Sequence, residues 1–317
     1  MELDFLFQLQ ELRESAPSFV TLFFDHLSEG VGGTALVLLG AVIFWCISKR
    51  AGYLMIASYL ASTSLNQLIK NIACVYRPWI LDSRIDPVPS AQEGATGYSF
   101  PSGHTTTATS SFGTLAYWQR KRVWLAATAV GLIVLTAFSR MWLGVHTPKD
   151  VIVAMVLATC VVAVCVKVSR FLDKHPEKDV IVAAVIIGLA MAALVFCALK
   201  TYPVDYGNAG AVLVNPEDMM LDCYSAFGAF MSFGICWIVE RRFVRFSIEG
   251  SLRSRIVRAF CGIAFLMAIL ALCSVVLKPL VPLAAYKLIK HVLLVAGVVL
   301  FYPACFMAAR KFRKPKR

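Results

Sequence analysis

Residues 180–199 read Val-Ile-Val-Ala-Ala-Val-Ile-Ile-Gly-Leu-Ala-Met-Ala-Ala-Leu-Val-Phe-Cys-Ala-Leu, from Val180 to Leu199, with no charged side chain among them. As a helix this stretch reaches about 30 Å, the thickness of a bilayer's hydrocarbon core. It has no polar face to offer water and needs none in lipid. Runs of the same kind recur on both sides of it, at residues 31–48, 53–69, 102–118, 123–138, 151–166, 224–239, 259–277 and 288–309. The pattern predicts an all-α, polytopic integral membrane bundle of about nine transmembrane helices. Composition agrees, since 59% of the 317 residues are hydrophobic and only 16% are charged, outside the range of soluble domains. The third and fifth runs are short or polar for lipid contact, the third carrying Thr105, Thr106, Thr107, Thr109, Ser110 and Ser111. Both are expected inside the bundle.

A net charge of +12 raises the question of nucleic acid. The basic residues, however, sit at the ends of apolar runs and form no stripe with interleaved aromatics, so none is expected as a partner. Of the 31 Lys and Arg residues, 21 fall on one side of the alternating hairpins, from Lys49 and Arg50 to the tail from Arg310 to Arg317. The positive-inside rule then places the C-terminus in the cytoplasm. The ten cysteines lie mostly within or beside apolar runs and read as small hydrophobes; Cys74 and Cys223, near span ends, are the pair to check for a bridge. Residues 1–30 lack the basic start of a signal peptide and are expected to stay in the chain. Leu3, Leu6, Leu9, Phe19, Phe23 and Phe24 give that segment an apolar side broken at Pro17, as in an interfacial amphipathic helix; a frayed tail is the alternative.

Three polar fragments interrupt this apolar pattern. Residues 98–104 read Tyr-Ser-Phe-Pro-Ser-Gly-His. Pro101 fixes φ, Gly103 bares its N–H and His104 stands where a helix begins, with the Ser102 hydroxyl beside them. Such a helix start receives anions, and an imidazole there exchanges a proton near neutral pH. A simple helix cap with a bystander histidine is the other reading. Earlier in the chain, Lys70 and Arg77 are seven residues apart, two turns along one helical face, followed by Pro78. Both would cost several kcal/mol in apolar surroundings without an anion, unless they snorkel to headgroups. Later come Ser139-Arg140, His146 and Asp150. Four-residue spacing at a helix start lets Asp150 bond one nitrogen of His146 and leave the other nitrogen's lone pair to attack, or lets Asp150 only cap the helix.

In order, the fragments are Lys-x6-Arg-Pro, Pro-Ser-Gly-His and Ser-Arg-x5-His-x3-Asp. With this set the chain resembles the type 2 phosphatidic acid phosphatase superfamily, which includes lipid phosphate phosphatases, glucose-6-phosphatase and vanadium haloperoxidases. The resemblance covers residues 34–166 and implies a six-helix-type phosphatase core. It implies His146 as the nucleophile that forms a phosphohistidine, Asp150 as its support and His104 as the general acid. Lys70, Arg77, Ser102, the Gly103 amide and Arg140 are implied to hold the phosphoryl oxygens. Cations and oriented donors around a transferring phosphoryl group are also what the chemistry requires. Three fixed cations would repel a divalent ion, so no metal and no cofactor is expected.

The chain is thus divided into an interfacial segment, 1–30, a phosphatase core, 31–178, and additional transmembrane helices with a basic cytoplasmic tail, 179–317. The expected activity is metal-independent hydrolysis of a lipid phosphate monoester or diphosphate at the extracytoplasmic face of a bacterial plasma membrane. A glucose-6-phosphatase-like hydrolase of a soluble sugar phosphate is the alternative within the class, because nine spans with an outside N-terminus is a layout those members show. A transporter that keeps the pocket for binding is the alternative from another class. The 79–97 loop is expected to cover the pocket and sort substrates. The 201–222 loop carries no readable role, and the sequence does not fix the oligomeric state.

Overall fold

The computed structural model describes residues 2–31, 33–207 and 212–312. The chain is all-α, with helices α1 (Glu2–Ser15), α2 (Ser18–Gly30), α3 (Gly33–Val42), α4 (Lys49–Ala73), α5 (Gly103–Trp118), α6 (Val123–Trp142), α7 (Pro148–Lys174), α8 (Asp179–Leu199), α9 (Pro216–Val239), α10 (Leu252–Leu272), α11 (Leu283–Ala296) and α12 (Tyr302–Phe312). Among the described residues the sole strand-like feature is an isolated bridge between Tyr206 and Val212. Helix breaks follow proline, which lacks the N–H an interior position needs. Pro17 separates α1 from α2, and Pro282 stands ahead of α11.

Six described helical stretches are long and apolar enough to cross a bilayer: Val123–Trp142, Pro148–Lys174, Pro176–Leu199, Pro216–Val244, Leu252–Leu280 and Leu283–Ala309. A seventh is added if Ser18–Gly30 and Ala35–Ile47, bent by 51° against each other, form one span. This is an integral membrane helical bundle, but not all nine expected spans meet the criterion. The run at 53–69 lies in α4, whose buried face holds Ser58, Ser62, Ser64, Asn66, Lys70 and Asn71. The run at 102–118 is α5, with 16 residues about 24 Å long at 1.5 Å per residue. It is as buried as expected, with Thr105 through Ser111 all enclosed. The fifth run differs. In the 151–166 run the stripe of Val151, Ala154, Ala158, Val162 and Val166 is buried, whereas Ile152, Val156 and Val164 are exposed. The start of α7 is polar, and the exposed apolar turns are fit for lipid.

The contacts group the chain into two compact units that interleave in sequence. The first comprises Met1–Val37, Ala61–Val164 and Leu199–Met219. In it α5 packs on α6, and α1 and α2 pack on α6 as well. Leu9, Trp142, Leu143 and Val145 form a small core that takes in Ala91 and Ala95 of the 79–97 loop. Phe24 meets Phe138 and Trp142 with ring centroids 5.3 and 5.4 Å away. The N-terminal segment is therefore docked on protein through Leu6 and Leu9, while Phe19, Leu22 and Phe23 stay exposed.

The second unit comprises Leu38–Leu60, Cys165–Ala198 and Met220–Arg317. Its core is built around Phe44, Trp45, Leu266, Val299 and Tyr302. A methyl group at Gly262 would come within 2.3 Å of the Trp45 ring, so only glycine allows this approach. The buried Glu240 carboxylate has three donors. Glu240 accepts from Lys49 Nζ at 2.7 Å, from the Phe246 amide at 2.7 Å and from the Tyr53 hydroxyl. No disulfide forms among the described residues, Cys74 and Cys223 included.

Candidate active site

The first fragment departs from a single helical face. α4 stops at Ala73, and Cys74 turns the chain in the left-handed region at φ 48°. Arg77 follows with φ −69° and ψ 152° as the residue ahead of the short Pro78–Leu81 helix. The cause is Pro78, whose ring disfavours helical backbone in the residue before it. Lys70 and Arg77 therefore reach the site from opposite sides of an elbow. Lys70 Nζ donates to the Tyr98 carbonyl at 3.0 Å. Arg77 is held by three carbonyls, Gly97 at 3.1 Å, Thr96 at 3.0 Å and Val145 at 3.1 Å. Two of these belong to the 79–97 loop, which thus orients a cradle cation. Burial first, and then repulsion from Arg140, pushes the Arg77 guanidinium down to about 9.

Ser102 caps α5, its Oγ accepting from Thr105 N at 3.4 Å and Thr105 Oγ1 at 3.0 Å. Gly103 and His104 form the first turn. A Cβ at Gly103 would meet open space, leaving room beside the helix's N–H groups for a ligand. Asn66 of α4, which carried no signal in the sequence, clamps this turn by donating to Pro101 O at 3.1 Å and Thr106 Oγ1 at 2.9 Å. The charges of Arg140, Lys70 and Arg77 are all felt at His104.

In the third fragment both readings of Asp150 hold at once. Thr147 and Asp150 form a reciprocal cap at the start of α7, with Thr147 N donating to Asp150 Oδ2 at 2.9 Å and Asp150 N to Thr147 Oγ1 at 3.3 Å. The same Oδ2 faces His146 Nδ1 at 3.3 Å and accepts from Ser99 Oγ at 2.5 Å. Ser99 is a second residue that sequence reasoning missed, although it sits two places before Pro101. With a proton on Nδ1 shared toward Asp150, His146 Nε2 keeps its lone pair. That nitrogen faces Arg77 Nη1 at 3.1 Å. Burial and the nearby Arg77 hold the His146 imidazole well below its usual pKa, against the pull of Asp150, so the ring is neutral at pH 7.

Arg140 is buried in α6. Its Nη1 donates to Ser28 Oγ of α2, a third partner the sequence did not signal, and its Nε has no hydrogen-bond partner. Lys70, Arg77 and Arg140 are each less than one-tenth exposed, and the nearest buried carboxylate, Asp150, is committed to His146, Ser99 and Thr147. Buried like charges are costly unless an anion offsets them. Beside Asp150 lies a cavity of about 530 Å³, walled by Glu2, Asp4, Arg84, Phe100, Thr147 and Lys149 among others. Its rim is pinned by Arg84, which pairs with Asp4 at 3.1 Å and Asp82 at 2.7 Å.

Fold and site together define a membrane protein in which buried Lys70, Arg77 and Arg140 accompany a carboxylate-oriented histidine. The chain belongs to the PAP2 superfamily, which residues 51–174 match, and residues 224–314 match the description PAP2 superfamily phosphatase, transmembrane extension. All three fragments fall inside the first match. The chain is 28% identical over 114 residues to an undecaprenyl-diphosphatase of Sulfolobus acidocaldarius, covering 35% of this chain and 52% of that protein. It is 29% identical over 127 residues to phosphatidylglycerophosphatase B of Bacillus subtilis, covering 37% and 57%. It is 33% identical over 125 residues to the undecaprenyl-diphosphatase BcrC of Bacillus subtilis, covering 39% and 61%. The chain thus spans between half and two thirds of the length of these relatives. No solved structure matches it.

Proposed function

We propose that this protein is a metal-independent phosphatase that hydrolyses a phosphate monoester or diphosphate of a membrane lipid through a phosphohistidine. The observation that carries the reading is His146, with Nδ1 on Asp150 and Nε2 against the buried Arg77, in the same unit as a His104 at which the charges of Arg140, Lys70 and Arg77 are all felt. In the first step Nε2 attacks phosphorus and the P–O ester bond breaks. His104 gives its proton to the departing oxygen. In the second step water loses a proton to His104, attacks the same phosphorus and breaks the P–N bond, releasing phosphate. Lys70, Arg77, Arg140, Ser102 and the Gly103 N–H stabilise the phosphoryl oxygens throughout. The bound phosphate also offsets the repulsion between a protonated His104 and the three cations.

The relatives' names, two undecaprenyl-diphosphatases and a phosphatidylglycerophosphatase, support a lipid substrate. The distribution of basic residues supports an extracytoplasmic site and a cytoplasmic C-terminus in a bacterial plasma membrane. The core, 31–178, carries the chemistry, and the 79–97 loop sorts substrates. Phosphate release by the purified protein in detergent, measured against phosphatidate, lysolipid phosphate, polyprenyl diphosphate and glucose 6-phosphate, tests the reading. Release from the lipids is expected. Release from the sugar phosphate alone would make it a sugar phosphatase, and binding without any release would make it a carrier.

A further inference from the structure

The loop after α8 belongs to the unit that holds the site: Leu199–Met219 groups with the motif-bearing residues. Its described side chains converge on the elbow between Lys70 and Arg77. Lys200 Nζ donates to the Asn71 carbonyl, to Ile72 O at 3.4 Å and to Cys74 Sγ at 3.1 Å. These are acceptors at the end of α4, where helix carbonyls lack intrahelical partners and a cation is favoured. Tyr202 OH donates to Asn71 Oδ1 at 2.7 Å, and Tyr76 OH donates to Asp205.

The loop's far end presses on the other side of the cradle. Met219 and Val214 enclose Tyr98, with Cys74, Tyr76 and Tyr202 packed around them. Gly97 has φ 68°, and a Cβ there would lie 2.3 Å from Met219 Sδ. These contacts fall on two of the residues whose carbonyls orient the cations, Tyr98 for Lys70 and Gly97, one of three, for Arg77. One short segment therefore touches both the backbone that carries the cations and the backbone that aims them.

Building on the phosphatase reading, we infer that residues 199–207 and 212–219 form a strap that sets the geometry of the phosphate cradle, with Lys200, Tyr202 and Met219 as positioning residues. A preorganised cradle is worth most where charge develops, and a displacement of about 1 Å at such a site costs on the order of 100-fold in rate. The strap acts on the cations and leaves the His146–Asp150 pair alone.

The test uses the full chain in detergent with orthovanadate as the probe, measuring its Kd directly and, separately, kcat and KM on the best substrate of the panel. Lys200→Ala, Tyr202→Phe and Met219→Ala are compared with Lys200→Arg, Met219→Leu and a control in the same loop, Val204→Ser. Vanadate affinity and kcat are expected to fall about 10- to 100-fold in the first group, as for residues that orient ligands from behind, with near-wild-type values in the other three. A segment that only stabilises the fold would lower the thermal midpoint and the yield while folded molecules kept the wild-type Kd; that result overturns the strap. If Met219→Ala fails to fold, Tyr202→Phe, which deletes one hydroxyl, decides by its Kd. A wild-type protein that binds vanadate but hydrolyses nothing would defeat the phosphatase reading, and the Kd series would still support or overturn the strap.

Discussion

Arg77 Nη1 lies 3.1 Å from His146 Nε2, so the ring nitrogen that Asp150 does not hold faces a cation's N–H. Nδ1 of the same ring is held by Asp150. In the proposed reaction the Nε2 lone pair would be freed to attack once a phosphoryl oxygen takes over the Arg77 donor. Burial first, and then the charge of Arg77, keeps the imidazole unprotonated, and this has consequences for pH. The His146 pKa is depressed in the fold, whereas in the unfolded chain it stands near 6.5. The unfolded chain therefore binds the extra proton first as pH falls. Stability is full above about pH 6.5 and is lost progressively below it. The thermal midpoint should drop between pH 7 and pH 5, and drop less in His146→Gln. Equal drops would remove His146 as the cause. Phosphoenzyme formation, which needs the neutral ring, should show no His146 break near pH 6.5.

Arg77→Lys tests whether the fork matters beyond its charge. One guanidinium serves Gly97, Thr96 and Val145 carbonyls and the His146 ring, and an ammonium with three donors at one point cannot reproduce that fan. Carbonyls left without a partner cost about 1 to 3 kcal/mol each when buried. Activity should fall at least 100-fold, about the loss seen on deleting one transition-state donor, with a lower thermal midpoint. Wild-type kcat in Arg77→Lys would reduce its role to simple charge.

Hydrolysis should survive EDTA and be blocked by vanadate. The motive is the buried Lys70, Arg77 and Arg140, which in the proposed reaction would supply positive charge to the transferring group and suit a trigonal-bipyramidal anion. If chelation abolished turnover and an added divalent ion restored it, the histidine mechanism would be wrong for this protein.

Sidedness can be read with single cysteines at Ser90 and Ser251, both exposed, in a background without the exposed Cys160, Cys261 and Cys305. Ser90→Cys should label from outside with an impermeant maleimide and Ser251→Cys only after permeabilisation, as 21 of 31 basic residues on one side require. The opposite pattern would put the site in the cytoplasm.

Much of this site was legible because its chemistry needs charged and polar residues where the rest of the chain is apolar. Lys70, Arg77, His104, Arg140, His146 and Asp150 stand out against lipid-compatible runs. What stayed hidden was carried by residues common in any helix or loop. Asn66, Ser99 and Ser28 make buried hydrogen bonds across 35, 51 and 112 positions of sequence, a distance no local pattern reports. Sequence spacing also misled at Lys70 and Arg77, because helical periodicity says nothing of an elbow at Cys74. α4 and α5 are not among the helices long and apolar enough to span, for a related reason: α5 has 16 residues, and both carry polar faces buried against protein.

The last expectation separates the two histidines, which the site places differently. His146 is oriented by Asp150 and lies in the loop ahead of α7, whereas His104 sits in the first turn of α5 beside Ser102 and Gly103. If His146 is the nucleophile, His146→Ala removes the atom that bonds phosphorus, and neither turnover nor phosphoenzyme should remain. If His104 donates the leaving-group proton, His104→Ala should cost roughly 10²- to 10⁴-fold with an alkoxide leaving group. A nitrophenolate leaves without that proton, so nitrophenyl phosphate should partly rescue His104→Ala and not His146→Ala. Should His104 also be required to activate water, the rescue becomes a burst of nitrophenolate with an acid-labile phosphoenzyme that accumulates. Rapid-quench measurement on both substrates distinguishes these outcomes. Equal losses in both variants on both substrates, with no burst, would mean that His104 holds the pocket together and transfers no proton.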